Sequence, residues 1–123
     1  MRILVVDDDK FAMRAMARPL RIAGYEVVEA MKPEQVIKAA EAGQFKIAIV
    51  DIFIPGMGGI EMIQRIRASS PACKIVAVSA GYADMPGSDA IQAAIKIGAD
   101  LGYIKPVDMD ALLKNIRDWK DQA

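Results

Sequence analysis

Five short apolar or β-branched runs recur along the chain, each followed by a stretch with helical spacing, and this alternation limits the fold more than any other feature. Strands are expected at Ile3 to Val6, Glu26 to Glu29, Ile47 to Val50, Ile75 to Val78 and Tyr103 to Ile104. Three of them are apolar throughout, as parallel strands buried on both faces are. From Asp9 as N-cap, the first helix is predicted to run toward a C-cap at Gly24. Pro19 should kink it or loosen its last turn, because an interior proline removes a backbone hydrogen bond. Pro33 opens a second helix that Gly43 closes. Ile60, Ile63 and Ile66 make one face of a third, and Ile91, Ile95 and Gly98 one face of a fourth. A fifth starts at Asp108 and buries Leu112, Ile116 and Trp119. With right-handed crossovers, five βα units close into an open doubly wound sheet or an incomplete barrel. At 123 residues the chain has about half the length of an eight-stranded barrel, so the α/β open sheet is expected, as one domain.

Composition removes whole classes of chemistry. There is no histidine, hence no Ser-His-Asp or Cys-His catalysis, no imidazole metal ligand and no phosphohistidine relay on this chain. Cys73 is the sole cysteine, which excludes an intrachain disulfide and a thiolate zinc cluster, and it reads as a small buried apolar residue. Sixteen basic and sixteen acidic residues balance, so no net field draws the chain to nucleic acid or to an anionic membrane. Its apolar runs are far shorter than the roughly 20 residues that span a bilayer. Arg2 precedes only four apolar residues before Asp7, which is not the order of a signal peptide, and a cytoplasmic location is expected.

In an open parallel sheet, ligands bind beyond the carboxyl ends of the strands. Those ends carry Asp7, Asp8 and Asp9, then Asp51, then Ser79, then Lys105 followed by Pro106. Carboxylates gathered on one edge repel one another by roughly 4 kcal/mol per pair at about 4 Å and an effective dielectric near 20. Something positive must compensate, and oxygen ligands without histidine or thiolate suit Mg²⁺. A carboxylate beside Mg²⁺ can attack a phosphoryl group to give an aspartyl phosphate. Lys105 would neutralise one phosphoryl oxygen and Ser79 would donate a hydrogen bond to another. Taken singly, Asp9 reads as a helix cap, Ser79 as a turn residue and Lys105 as a solvated charge; their coincidence at four strand ends favours a site.

These residues carry a family resemblance. The stretch from Ile3 through Val6 to Asp7-Asp8-Asp9, the run Val50-Asp51-Ile52-Phe53-Ile54-Pro55-Gly56-Met57-Gly58-Gly59, then Val78-Ser79-Ala80, and Gly98-Ala99-Asp100 leading to Lys105-Pro106 together resemble the receiver (CheY-like) domain of two-component response regulators. The resemblance covers the whole chain in order. It implies a flavodoxin-like (βα)5 fold with strand order 2-1-3-4-5 and a phosphoacceptor at Asp51. It also implies an Mg²⁺ site made by Asp7, Asp8, Asp51 and the backbone carbonyl of Phe53, switch groups at Ser79 and Lys105, and a cis Lys105–Pro106 peptide. The phosphoryl donor it implies is a histidine kinase or phosphotransfer protein. A downstream protein target would be met through the fourth helix, fifth strand and fifth helix. The activity implied is that of a stand-alone phosphorylation switch of residues 1–123 without an output domain, not an enzyme beyond self-phosphorylation and autodephosphorylation.

The chain departs from the family pattern in three places. Gly58 stands where receivers commonly have Asp, so a helix cap is expected to be missing. Gly102 stands where the switch aromatic is usual, and Tyr103, one residue later, should point to the other face. The segment from Ser79 to Lys105 is about four residues longer than is usual for the family. Its loop, Gly81 to Ser88, reads as a tolerated surface insertion or as the seat of a replacement reporter, Tyr82 or Met85; Tyr82, Tyr103 and Pro106 are regulatory candidates. Phe53 and Gly81 should flank the phosphoryl group, and a bulky Phe53 would hinder attacking water. Lys10, Arg14, Arg18 and Arg21 form a basic stripe on the first helix, either a solvated face or a docking surface for an acidic partner. Two other readings compete. Asp7-x-Asp9, Ser79 and Lys105 also resemble the motif order of haloacid-dehalogenase-type phosphatases, although only 18 residues after Lys105 remain for a further acidic motif. A phosphorylation-independent binding module is the other, opposed by the filled acidic, hydroxyl and lysine positions.

Overall fold

The structure, a computed structural model, describes residues 1–42, 45–54, 57–80 and 87–121, with the backbone alone for Phe53, Ile54, Met57, Gly87 and Ser88. Strands β1 (Arg2–Val6), β2 (Glu26–Ala30), β3 (Ile47–Asp51), β6 (Lys74–Ser79) and β7 (Leu101–Ile104) form one parallel sheet in the order β2-β1-β3-β6-β7. Counting these five alone, this is the expected 2-1-3-4-5. A two-residue hairpin that no periodicity announces, β4 (Phe53–Ile54) with β5 (Met57–Gly58), follows β3. The chain crosses between strands through α1 (Lys10–Ile22), α2 (Pro33–Ala42), α3 (Gly59–Ser69) and α4 (Gly87–Ile97), and α5 (Met109–Asp121) follows β7.

Alternation along the strands divides the core in two. Ile3, Val5, Ile47, Ile49, Val76 and Val78 pack with Met13, Met16 and Leu20 of α1 and with Leu112 and Ile116 of α5. Leu4, Val6, Ala48, Val50, Ile75 and Ala77 pack with α2, α3 and α4 through Val36, Met62, Ile63, Ile66, Ile91 and Ala94. The register sets all the strand ends on one edge: Val6 lies beside Val50, Asp51 beside Val78, and Ser79 beside Ile104.

Local signals account for most helix ends. Asp9 accepts from the Phe11 and Ala12 N–H groups, so α1 begins as expected. The helix runs unbroken through Pro19 and is capped at Ala23, before Gly24, whose φ of +98° a glycine adopts freely. Ala15, whose carbonyl loses its partner to the proline, is exposed, where water can serve it. Pro33 opens α2, and Gln35 Oε1 accepts from the Met31 and Lys32 N–H groups at 2.8 and 3.1 Å. Gly43, the expected end of α2, lies outside the described residues. Gly58 caps α3 without a side-chain hydrogen bond, as its missing carboxylate foretold. Asp108 accepts from the Ala111 N–H at 3.1 Å and starts α5. Leu112 and Ile116 are buried there and Trp119 half-buried.

Two expectations need correction. Ile95 is not on the buried face of α4: it is exposed, and Ala90, Ile91 and Ala94 make that face, because a period of 3.6 places 90, 91, 94 and 97 together and turns 95 outward. Strand β7 begins at Leu101, two residues earlier than expected, since Gly102 is held in the ladder opposite Ala77.

At the amino end of the sheet Arg67 acts as a clamp. Its guanidinium donates to the carbonyls of Pro71, Cys73 and Gly98 and to Asp100 Oδ2, at 2.5 to 3.0 Å. Asp100 Oδ2 also accepts the Ile75 N–H at 2.8 Å. Cys73 beneath it is buried, which pushes its thiol up to about 11, so it stays protonated and inert near neutral pH. Among the described residues no helix is long and apolar enough to cross a membrane.

Two outcomes follow from this packing. A Cβ on Gly59 would overlap the backbone of Ile52, whose carbonyl accepts the Gly59 N–H at 2.8 Å. Gly59→Ala is therefore expected to lower the free energy of unfolding by about 1–3 kcal/mol, read as a reduced urea midpoint at unchanged m-value. In the native protein, Cys73 should react with a thiol reagent at pH 8 only at the rate of local opening and at full rate in denaturant; immediate native labelling would contradict its burial.

Candidate phosphoryl and metal site

Four strand ends converge. Asp7 follows β1, Asp51 ends β3, Ser79 ends β6 and Lys105 follows β7. All but Lys105 are nearly closed to solvent, with Asp7 at 3%, Asp51 at 7% and Ser79 at 0% exposure. Lys105 Nζ reaches both buried acids, 3.0 Å from Asp7 Oδ2 and 2.8 Å from Asp51 Oδ2. The Lys105 N–H donates to the Ser79 carbonyl at 3.0 Å, so the backbone that carries the ammonium is tied to the strand end that carries the hydroxyl. Asp7 is oriented in turn, accepting the Asp9 N–H on Oδ1 at 2.9 Å while its own N–H donates to Ala30. Burial by itself would push the Lys105 ammonium down, but hydrogen bonds from it to Asp51 and Asp7 and their negative charge outweigh this and raise it above the ordinary lysine value. It remains charged throughout the physiological range.

Asp8 is exposed, yet it joins Asp7 and Asp51 in a group whose carboxylate oxygens lie within 4.8 Å of one another. Three carboxylates against one ammonium leave an excess of two negative charges, and an all-oxygen donor set is what a hard divalent cation takes. The residues present thus fit the Mg²⁺ that the resemblance implies. Phe53, the expected carbonyl ligand, opens β4 directly beyond Ile52, whose N–H donates to Val78. Asp9 does not belong to this group, since its carboxylate is engaged at the helix end. Among the described residues, no acid from beyond Lys105 joins the group, whereas the phosphatase reading needs a further acidic motif there.

The remaining candidates separate. The Lys105–Pro106 peptide is cis, as expected. Tyr103 lies on the α1 and α5 side of the sheet, opposite to the face over Gly102, and its hydroxyl accepts from Asn115 Nδ2 at 2.5 Å. Of the loop expected from Gly81 to Ser88, residues 81–86, with Gly81, Tyr82 and Met85, lie outside the described residues, and Gly87 and Ser88 belong to α4 instead. Lys10, Arg14, Arg18 and Arg21 are all exposed along α1, with Arg21 paired to Glu29 at 3.0 Å. Phe11 at 83% and Ile22 at 77% exposure flank them, a feature that sequence reasoning missed. Their departure from the buried period of Met13, Met16, Ala17 and Leu20 could have revealed it. Beside the acidic group, Ala12, Ala15, Met16, Pro106, Val107 and Met109 line an apolar groove of about 440 Å³ that also touches Asp7 and Lys105.

Comparison with known proteins agrees with this geometry. Among curated relatives, a cyclic di-GMP phosphodiesterase of Thermotoga maritima is 34% identical over 112 residues, 91% of this chain but 29% of that protein. A CheY-like receiver domain protein of Methanospirillum hungatei superposes with a TM-score of 0.86 at 31% identity, covering 98% of this chain and 94% of its own. A response regulator of Burkholderia pseudomallei, solved with a phosphorylated aspartic acid and a calcium ion, gives 0.80 at 28% identity, with 91% and 64% covered. TrrA of Thermotoga maritima, in complex with Mg²⁺ and a beryllium fluoride, gives 0.77 at 29% identity, with 95% and 96% covered. The family model described as the response regulator receiver domain matches residues 3–117. A match over nearly the whole sequence leaves one conclusion: this chain belongs to the response regulator receiver domain family, whose members are phosphorylated on aspartate and work with histidine kinases or phosphotransfer proteins.

Proposed function

We propose that Asp51 is the phosphoacceptor, and that residues 1–123 act as one receiver unit that turns its phosphorylation into a protein contact. The observation that carries this reading is the pairing of a nearly buried Asp51 with an ammonium 2.8 Å away at the carboxyl edge of the sheet. In the reaction, an Asp51 carboxylate oxygen forms a bond to phosphorus as the donor's phosphorus–nitrogen bond breaks, and the leaving imidazole keeps that electron pair. Lys105 neutralises charge on a phosphoryl oxygen, and the Ser79 hydroxyl donates to another. Asp7, Asp8, Asp51 and the Phe53 carbonyl would hold Mg²⁺, which when bound supplies the remaining positive charge. The phosphoryl group is lost when a water oxygen bonds to phosphorus as the bond to Asp51 breaks, giving inorganic phosphate and the free carboxylate, and no other enzymatic turnover is assigned to the chain. The activity named for the Thermotoga relative is not carried over.

The donor is read onto α1. Its exposed Lys10, Arg14 and Arg18 suit an acidic partner, while Phe11 and the groove at Met16, Val107 and Met109 offer apolar contact beside the acceptor and Ile22 offers it at the far end of the helix. A downstream protein is read onto the face of α4, β7 and α5, where Ile95 and Ile104 are exposed at 46% and 54%. Balanced charge gives no ground for direct binding to nucleic acid or membrane, which accords with a cytoplasmic location.

Incubation with acetyl phosphate should add one phosphoryl group by intact mass, in a reaction that needs both Mg²⁺ and Asp51; a gain retained in Asp51→Asn would refute the assignment. Mg²⁺ alone should stabilise the fold by about 2.7 kcal/mol at a hundredfold excess over its Kd, seen in thermal or urea unfolding. Asp8→Asn, at an exposed position, should weaken that effect without lowering metal-free stability. With a cognate kinase, Arg14→Glu combined with Arg18→Glu should slow transfer more at low salt than at high salt, while leaving acetyl phosphate labelling unchanged.

A further inference from the structure

Gly102 lies in β7 opposite Ala77 of β6, on the side of the sheet that α4 covers. The space where its side chain would stand is already filled. A Cβ built there would overlap Ile91 Cγ2 and would lie 3.2 Å from Ile91 Cβ and 3.3 Å from Cγ1. Ile91 belongs to α4, is 8% exposed, and fills the place over Gly102. Its neighbours on that face are Ala90, Ala94 and the partly buried Ile97, with Ala99 just beyond the helix. Ser79, two residues along β6 from Ala77 and therefore on the same face, is wholly buried. Ser79, Ala77, Gly102 and Ile91 thus form a continuous seam from the phosphoryl site to α4.

We propose that Ile91 is the positioning residue through which phosphorylation of Asp51 is transmitted, so that the amino-terminal part of α4 itself responds. The inference rests on Asp51 being the phosphoacceptor. Its physical basis is the place of the knob. A bulky group rooted in β7 can change rotamer while both backbones stay still, but β7 has no side chain at 102 to turn. The group in that space is rooted in α4, so a displacement of Ser79 toward the phosphoryl group changes the bed on which Ile91 sits and biases the helix itself. Contacts of the alanine methyls interlock little, so the amino-terminal part of α4 can shift on the sheet, while Ile97 and the hydrogen bond from Arg67 to the Gly98 carbonyl hold its carboxyl end. On the other side of β7, α5 is held by Leu112, Ile116 and the hydrogen bond from Asn115 to Tyr103, and has no reason to follow.

The test is amide hydrogen exchange of the full chain with Mg²⁺, with and without beryllium fluoride, alongside intact mass after acetyl phosphate. In the wild type, peptides from α4 should change their exchange at least about threefold on adding beryllium fluoride, while those from α5 stay unchanged. Ile91→Ala, a favourable residue for a helix, should still accept a phosphoryl group on Asp51 but lose most of the α4 response, and Ile91→Val should restore it. Gly102→Ala should displace Ile91 and alter α4 exchange before any phosphoryl mimic is added. A phosphorylated wild type with silent α4, or an Ile91→Ala variant that responds as the wild type does, overturns the proposal. Failure of Asp51 to take a phosphoryl group in the wild type overturns the reading beneath it, and the mass measurement tells the two failures apart.

Discussion

The ammonium of Lys105 stands between Asp7 and Asp51, and the architecture of the carboxyl edge follows from that bridge. A parallel sheet gathers its strand ends, and here it gathers acids whose mutual repulsion at about 4 Å, with an effective dielectric of 20, amounts to about 4 kcal/mol per pair. Asp7 and Lys105 are 98 positions apart, so the compensating charge arrives only when the last strand has docked. The site is a product of the completed fold. It is also incompletely neutralised, with Asp8 held close to two buried acids, and this residual negative charge is what makes the edge receptive to a divalent cation and then to a phosphoryl group.

Stability and function are drawn to opposite ends of the same strands. At the amino end, Arg67 and Asp100 join α3, the start of β6 and the turn into β7 through donors and acceptors that match in number and sign. At the carboxyl end, like charges are crowded and polar groups are turned inward. The two apolar cores between them are closed by helices on both faces, which is why the central strands are apolar throughout Ile3 to Val6, Ile47 to Val50 and Ile75 to Val78.

The fold was legible because hydrophobic period and helix caps act locally. Asp9, Pro33 and Asp108 each place a helix start through an interaction within four residues, and Ile47 to Val50 can hardly be other than a buried strand. The site was legible because strand ends carry its ligands. What escaped depends on contacts between distant segments. The strand reads from Tyr103 onward, and that Gly102 belongs to it shows only when Ile91 is seen to occupy the space a side chain would need. Ile95 looks apolar and periodic with Ile91, but the sheet is met by the face that Ala90, Ile91, Ala94 and Ile97 share, and this leaves Ile95 toward solvent. Phe11 and Ile22 belong to a helix whose buried face is already complete, so their exposure is a matter of what else is in the molecule.

The Arg67 clamp has a consequence for what chemistry at the acids can disturb. Its guanidinium makes four hydrogen bonds to acceptors from two separate segments, around Cys73 and from Gly98 to Asp100, a geometry that a lysine, with a point charge and a flexible stem, does not reproduce. One pole of the domain is thereby tied together across two loops and a helix. The acids gather at the opposite ends of the same strands, so a chemical event among them breaks none of the bonds that make this tie.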